Sequence, residues 1–553
     1  MIIYHSESRS MFCSNVIMSP IFLLFMSCLF GISLQKSTPQ DDSYVAAVVE
    51  YQVNTNVSIN TQNYVDLIKE AAEKNADIIV FPEMTLTRGQ RRIPIPFHGI
   101  LKTTPIPALN PELYDEILVS ISVAARVHQI YVVINVQEVM DCNDAPGEYC
   151  PEQKEYLFNT NVVFDRNGAV IDRYRKINLF GEFTRTPALK PELGVFTTDF
   201  GVTFGHYICF DLMFQVPAVQ VVQKHNITDV IFTTMWFSEM PYLTAVEIQE
   251  AYTYAMNVNF LAAGANNVRV GSAGSGIYSG KAGSLISVMP GVPTTRLLVA
   301  KVPKVPGEVK EDYPGPIRDD PKALDSLVLI SDPSLPSHMS RPLVSGSQEF
   351  TLTTNEISCK FSVKLQLKDG EQGPHYMALA KDGINTYSRK DLGVATCAVV
   401  ACKNDTIKSC PYRFEKTEDN VVIEDLVIEM TSYSHHYNAS LQCDDIIYYP
   451  ISFTNDKFPV RPKNVTFLET SKINSNEVLS SCENNLNIDF NGHKEHIVYK
   501  INAPQNNIVS FGVWGRVYNR DFDHNKKPTA DDLKNYLEIE DWIYKMEKKN
   551  NKI

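Results

Sequence analysis

The strongest constraint on the fold lies between Val45 and Ala265, where short apolar runs alternate with segments of helical period. Asp77 to Phe81, Ile130 to Val136 and Val230 to Thr234 are apolar at consecutive positions rather than at every second one. Strands of that kind need cover on both faces, so they belong inside a layered structure. Val45 to Tyr51 and Phe260 to Ala265 read the same way. Tyr64, Leu67, Ile68, Ala71 and Ala72 recur at helical spacing, with Asn60 or Thr61 placed to cap the start. Tyr114, Ile117, Leu118, Ile121 and Ala125 mark a second helix opened by Asn110-Pro111. Leu157 to Phe164 and Val170 to Tyr174 flank the turn Asp165-Arg166-Asn167-Gly168 as a hairpin. Val195 to Phe200 pairs with Val202 to Ile208 around Gly201, and helices follow at Val216 to Lys224 and Leu243 to Met256. The pattern predicts an α/β domain over Asp42 to Pro306, for which a four-layer αββα sandwich would bury the strands on both faces.

Prolines and charges dominate from Pro303 to Pro342, which predicts a linker over 307–345. Alternation of apolar and polar residues takes over at Phe361 to Leu367, Val421 to Met430 and Asn507 to Tyr518. That predicts a second, smaller, mainly β domain over 346–519, stapled by disulfides. The tail 520–553 is polar, with a helix expected around Asp531 to Met546.

The N-terminus reads as a targeting segment. Ile17 to Ile32 is apolar and ends in small or polar residues, which fits a secretory signal over residues 1–35 better than a membrane span. Met11 offers an alternative start. In an oxidising compartment cysteines pair. Of 11 cysteines, Cys13 and Cys28 fall in the signal, which leaves nine, an odd number. Cys142 and Cys150 are neighbours in a polar loop. Cys359, Cys397, Cys402, Cys410, Cys443 and Cys482 form a second set whose connectivity the sequence does not choose. Cys209 is left over. Five glycosylation triplets, at Asn56, Asn226, Asn404, Asn438 and Asn464, fit the same extracellular compartment. The formal net charge of −13 disfavours nucleic acid as a partner, since there is no basic excess to release counterions.

Cys209 ends the strand Val202 to Ile208 and precedes a helical pattern. A lone cysteine is more often a small buried hydrophobe or half of a disulfide. At a strand-to-helix corner, however, the sulfur is held outward and the next N–H groups can face an oxyanion. Such a thiol needs a base and an electropositive neighbour. Glu83 follows the strand end Phe81-Pro82, and Lys176 ends Arg173-Tyr174-Arg175. Alone, either would be read as a solvated charge. Gly271, Gly274, Gly276 and Gly280 follow no strand-to-helix opening, so they are expected in a flexible rim loop rather than a dinucleotide site.

Phe81-Pro82-Glu83, Tyr174-Arg175-Lys176-Ile177-Asn178-Leu179-Phe180-Gly181-Glu182 and Ile208-Cys209-Phe210-Asp211-Leu212 resemble the three signature stretches of the nitrilase superfamily, in its vanin and biotinidase branch. Likeness continues at Trp236, at Pro241 to Glu247 and at Phe511 to Tyr518, so it covers most of the chain. The resemblance implies an αββα nitrilase domain followed by a β-rich base domain, and hydrolysis of a small-molecule linear amide without a metal or organic cofactor. It implies Glu83 as general base, Lys176 and the backbone N–H of Phe210 as oxyanion donors, and Cys209 as nucleophile. Glu182 would support Lys176 or the substrate, and Trp236 would lie near the acyl pocket. Members cleave pantetheine or biocytin, and pantetheine is the expectation here. Two features depart from the family pattern. The tail Glu538 to Ile553 is charged, with Lys545, Lys548, Lys549 and Lys552, where a glycolipid anchor needs an apolar end. Phe237 and Ser238 replace the usual methionine and asparagine beside Trp236, which bears on the substrate.

Overall fold

The computed structural model describes residues 36–87, 91–320, 322–367, 373–414, 420–432, 437–438, 441–469 and 495–521. The expected signal, Cys482 and the expected tail helix lie outside these residues.

Two sheets face each other in the first domain. The first contains β1 (Ser43–Gln52), β2 (Ile78–Val80), β3 (Tyr131–Asp141), β4 (Glu155–Phe164) and β5 (Val170–Arg175) in that spatial order. The second contains β6 (Gly194–Thr197), β7 (Thr203–Ile208), β8 (Asp229–Thr234), β9 (Asn259–Asn266), β10 (Ser275–Ser279) and β11 (Gly283–Val288). β12 (Arg296–Pro303) pairs antiparallel with β1 and closes the free edge of the first sheet. The sheets join where Tyr51 and Gln52 pair with Ala265 and Asn266.

Alternate residues of β1 explain the layering. Ala47, Val49 and Tyr51 pack with helices α1 (Val57–Glu73) and α2 (Glu116–His128), through Tyr64, Ile68, Leu118 and Ile121. Tyr44, Ala46 and Val48 point the other way, against Phe204, Ile231 and Leu261 of the second sheet. The outer face of the second sheet is covered by α3 (Ala245–Met256) and by the second domain. The four-layer α/β sandwich is therefore present.

The second domain is a β-sandwich. One sheet orders β13 (Met339–Pro342), β16 (His375–Tyr387), β17 (Lys390–Cys402), β22 (Ile508–Val517) and β19 (Ile446–Thr454). The other orders β14 (Gly346–Thr354), β15 (Ile357–Leu367), β18 (Val421–Ser432), β21 (Glu495–Ile501) and β20 (Val465–Glu469). Phe361, Leu365, Ile428, Val399, Phe511 and Val513 fill the space between them.

Several sequence expectations are corrected. The N-cap of α1 is Asn56, whose side chain accepts from the Ile59 N–H at 3.1 Å. Asn60 instead is fully buried and donates to the carbonyls of Asn54, Thr85 and Leu86. Asn110-Pro111 opens only a short 3₁₀ turn; Asp115 caps α2. The helix expected from Val216 starts after an extended Val216. Gly274 and Gly276 are not in a flexible rim loop. Gly276 lies in buried strand β10, where Tyr278 would meet an added Cβ at 2.6 Å. Over 307–345, Gly315–Ile317 pairs with β11, Ile330–Ser331 pairs with Glu239–Met240, and β13 joins the second domain. Disulfides join Cys142 to Cys150, Cys359 to Cys397 and Cys402 to Cys410. Cys443, expected in a disulfide, is a buried thiol with no disulfide partner among the described residues.

Candidate active site

Three chain segments end on the same inner space between the two sheets. The apolar strand β2 runs into Phe81-Pro82, which leaves Glu83 at its carboxyl end, 3% exposed. Hairpin strand β5 delivers Lys176 just past its last residue, 2% exposed. β7 delivers Cys209, 5% exposed, into a 3₁₀ turn over Cys209–Met213. Cys209 holds φ at +48°, a left-handed conformation that costs an L residue strain and is a mark of functional turns.

Lys176 is the hub. Its Nζ donates to Glu83 Oε1 at 2.7 Å and lies 3.3 Å from the Glu182 carboxylate. Burial alone would lower the ammonium's pKa, but Glu182 and Glu83 overturn that and hold it above its ordinary value. Lys176 is thus a fixed positive charge. Glu83 is fully occupied: Oε1 also accepts from Asn159 Nδ2 at 2.7 Å, and Oε2 accepts from the Met235 N–H at 2.8 Å. Asn159 uses the same amide to donate to Glu182 at 2.7 Å. Burial raises the Glu182 carboxyl, and Lys176 pulls it back. Around Cys209, burial pushes the thiol up, Glu83 adds to that, and Lys176 opposes it. The balance favours the neutral thiol, whose sulfur lies 3.7 Å from the Met235 carbonyl oxygen. Its activation needs a base rather than a spontaneous thiolate.

Asp211 and Asn159, without a role in the motif reading, hold this arrangement. Asp211 is fully buried and accepts from Tyr174 Oη at 2.7 Å, from the Asn178 N–H at 2.8 Å and from the Ile208 N–H at 3.2 Å. It ties the segment carrying Lys176 to the turn carrying Cys209. Burial raises its pKa to about 6, against the hydrogen bonds that favour the charged form. Asn159 projects from β4 onto the inner face, beside Asn135, which donates to it at 2.8 Å. The signal for Asn159 was a polar side chain within a mostly buried strand, and that for Asp211 a carboxylate inside the buried turn that follows Cys209. Asn159 and Asn161 share one face by strand period.

Trp236 donates from Nε1 to the Leu243 carbonyl at 2.8 Å, so it braces the loop after Met235. The rings of Phe180 and Phe210 lie 4.9 Å apart, and those of Phe180 and Phe237 lie 5.9 Å apart. Phe210 itself occupies the second position of the Cys209 turn. Among the described residues, no cluster of three His, Cys, Asp or Glu side chains is placed to hold a metal. Asn56, Asn226 and Asn404 are exposed and Asn464 is half-buried.

The carbon-nitrogen hydrolase family matches residues 45–290, and the vanin C-terminal domain matches residues 328–521. Vanin-like protein 2 of Drosophila melanogaster is 32% identical over 530 residues, covering 91% of this chain and 94% of that one. A human pantetheine hydrolase is 27% identical over 461 residues, covering 78% and 85%. Human biotinidase is 33% identical over 286 residues, covering 48% and 52%.

Proposed function

The chain belongs to the vanin branch of the carbon–nitrogen hydrolases and is an amide hydrolase, and from that premise we propose that it is a secreted enzyme that cleaves pantetheine to pantothenate and cysteamine through a Cys209 thioester. The observation that carries the proposal is the buried Lys176 ammonium held between Glu83 and Glu182, with the Cys209 thiol in the field of all three.

In this reading Glu83 takes the Cys209 proton as sulfur attacks the amide carbonyl carbon. The carbonyl oxygen becomes an oxyanion, stabilised by Lys176 and the Phe210 N–H. Protonated Glu83 gives its proton to the nitrogen, the C–N bond breaks and the amine leaves. A thioester remains. Glu83 then takes a proton from water, which attacks the thioester; the carbon–sulfur bond breaks, and the thiol and a carboxylic acid are restored. Glu182 keeps Lys176 charged and aimed. In this reading the proton transfer to Glu83 accompanies attack.

Three disulfides and glycosylation triplets on exposed loops support an extracellular location. Biocytin cleavage is the competing reading, since the biotinidase segment is the more identical of the two human relatives. Parallel assays of cysteamine release from pantetheine and lysine release from biocytin test the proposal. Pantetheine turnover that Cys209→Ala abolishes supports it. Biocytin turnover without pantetheine turnover transfers the activity to biotin amides. Unchanged turnover in folded Cys209→Ala overturns the mechanism.

A further inference from the structure

We infer that Asn135 is a positioning residue for the reaction: it fixes which way round the Asn159 amide sits, and so keeps Glu83 among hydrogen-bond donors alone while it takes and returns the proton. This rests on the role of Glu83 proposed above and adds what holds that carboxylate to a two-way proton transfer.

A side-chain amide has an accepting end and a donating end of nearly the same shape, so its neighbours decide its orientation. Asn135 lies on β3 opposite Asn161 of β4, and Asn135, Asn159 and Asn161 are all fully buried. One neighbour of Asn135 leaves no choice. Met84, the residue after Glu83, holds φ at +54°, and its backbone N–H donates to Asn135 Oδ1 at 2.9 Å. A backbone N–H can only donate, so Asn135 must present its oxygen there. Its Nδ2 then faces the oxygens of Asn159 and Asn161, at 2.8 and 3.1 Å. Both of those amides are set in turn. Asn161 Oδ1 also accepts from Thr233 Oγ1 of β8 at 2.8 Å, and Asn161 Nδ2 lies 3.5 Å from His206 Nδ1. Asn159, with its oxygen engaged, sends Nδ2 to both carboxylates, Glu83 Oε1 and Glu182 Oε1, each at 2.7 Å.

While both carboxylates are ionised, they would by themselves repel a flipped Asn159. The lock matters once Glu83 has taken the Cys209 proton. The acid's O–H could then donate to an amide oxygen, and a flipped Asn159 would supply one. Such a flip would set the Nδ2 donors of Asn159 and Asn135 against each other, and Asn135 is pinned by Met84. Asn159 therefore stays a donor through the cycle. The other contacts of Glu83 are donors as well: Lys176 Nζ to Oε1 and the Met235 N–H to Oε2. No hydrogen-bond partner of Glu83 among the described residues is an acceptor. The proton it carries is left for the departing nitrogen, which is what a general base that becomes a general acid requires. The turn that follows the base thus orients the amide that holds it.

The test is a double-mutant cycle on the full-length protein, read by pantetheine turnover. Asn135→Ala should lower kcat about 10–100-fold, the scale for a small misplacement of reacting groups, with KM changed less than about threefold. Added to Asn159→Ala, it should lower kcat by less than about a further threefold, since its effect runs through the Asn159 amide. Costs that simply multiply would show that Asn135 acts by holding Met84 or the strand, and would overturn the inference. So would an unchanged kcat in folded Asn135→Ala. Asn135→Ser takes its place in the cycle if the alanine variant does not fold. Neutron diffraction of the wild-type protein reads the orientation without any variant. Deuterium on the Asn159 atom facing Glu83 and Glu182 is expected, and deuterium on the atom facing Asn135 overturns the inference. A wild-type protein that cleaves neither pantetheine nor biocytin overturns the proposed function instead, and the neutron map then decides the inference alone.

Discussion

The molecule buries carboxylates in two places and treats them differently. In the inner space between the catalytic sheets, Glu83 and Glu182 share Lys176 and Asn159. On α3, where it meets the second domain, Glu247 and Glu250 are buried with no ion-pair partner among the described residues. Glu247 accepts only from neutral donors, Thr244 and, at 3.2 Å, Ser510. Burial raises both Glu247 and Glu250 to about 8. The comparison separates two uses of one physical cost. A buried carboxylate given a cation has a counter-charge beside it and organises chemistry. One given only dipoles becomes a proton-dependent seam.

The first way to break this comparison is to remove the cation. Lys176→Met leaves two facing carboxylates with no counter-charge and no ammonium for the oxyanion. Turnover should fall at least about a thousandfold, the scale for loss of an oxyanion donor. A loss under about tenfold would show that Lys176 is structural. Glu83→Gln keeps the shape but cannot accept the thiol proton, so kcat should fall by about 10²–10⁴. Pre-steady-state kinetics should show no amine burst in that variant.

Asp211→Asn sharpens the same side. It keeps one acceptor oxygen but replaces the other with a donor facing Tyr174 or Ile208. The tie between the Lys176 segment and the Cys209 turn then loosens. We expect kcat to fall roughly 10–100-fold, consistent with a small misplacement of reacting groups. KM should change less than threefold, which separates positioning from substrate contact.

The meeting of Glu83, Lys176 and Cys209 in one buried site was legible because each stands at the end of a recognisable strand, inside a short motif. Asn159 and Asp211 were not assigned roles, because partners that define them lie far along the chain, 76 positions for Asn159 and Glu83 and 37 for Asp211 and Tyr174. Asn60 shows the same limit in reverse. It carries a helix-cap residue type, yet its amide is used to pin the Thr85 and Leu86 carbonyls after Glu83, while Asn56 caps. Local preference named the right residue types, and tertiary contacts reassigned their jobs. The Ser388–Arg389 tip of the hairpin between β16 and β17 is less legible still, since nothing in Tyr-Ser-Arg-Lys spells a left-handed turn. The Leu297-Leu298-Val299-Ala300 run went unread as a strand because its partner, β1, lies some 250 residues earlier.

The seam yields the smallest effect and the clearest sign. An acid whose folded pKa lies above its unfolded value binds its proton more tightly when folded. Its contribution is complete below the unfolded value, near 4.5, and is lost as pH rises through about 8. Thermal stability should therefore decline between about pH 5 and pH 8. If the two groups together contribute about 2 kcal/mol, Tm falls by about 2 °C for a chain of this size. Glu250→Gln keeps the size of the side chain and removes the charge, so it should flatten that decline and raise Tm at pH 8 relative to wild type. Glu83→Gln cannot produce this trend, because there the ammonium of Lys176 would lose a counter-ion and the melting temperature should fall. Opposite shifts from one chemical change at two buried sites would establish that the cation, not the burial, sets the role of each carboxylate. Shifts of the same sign would dissolve the distinction.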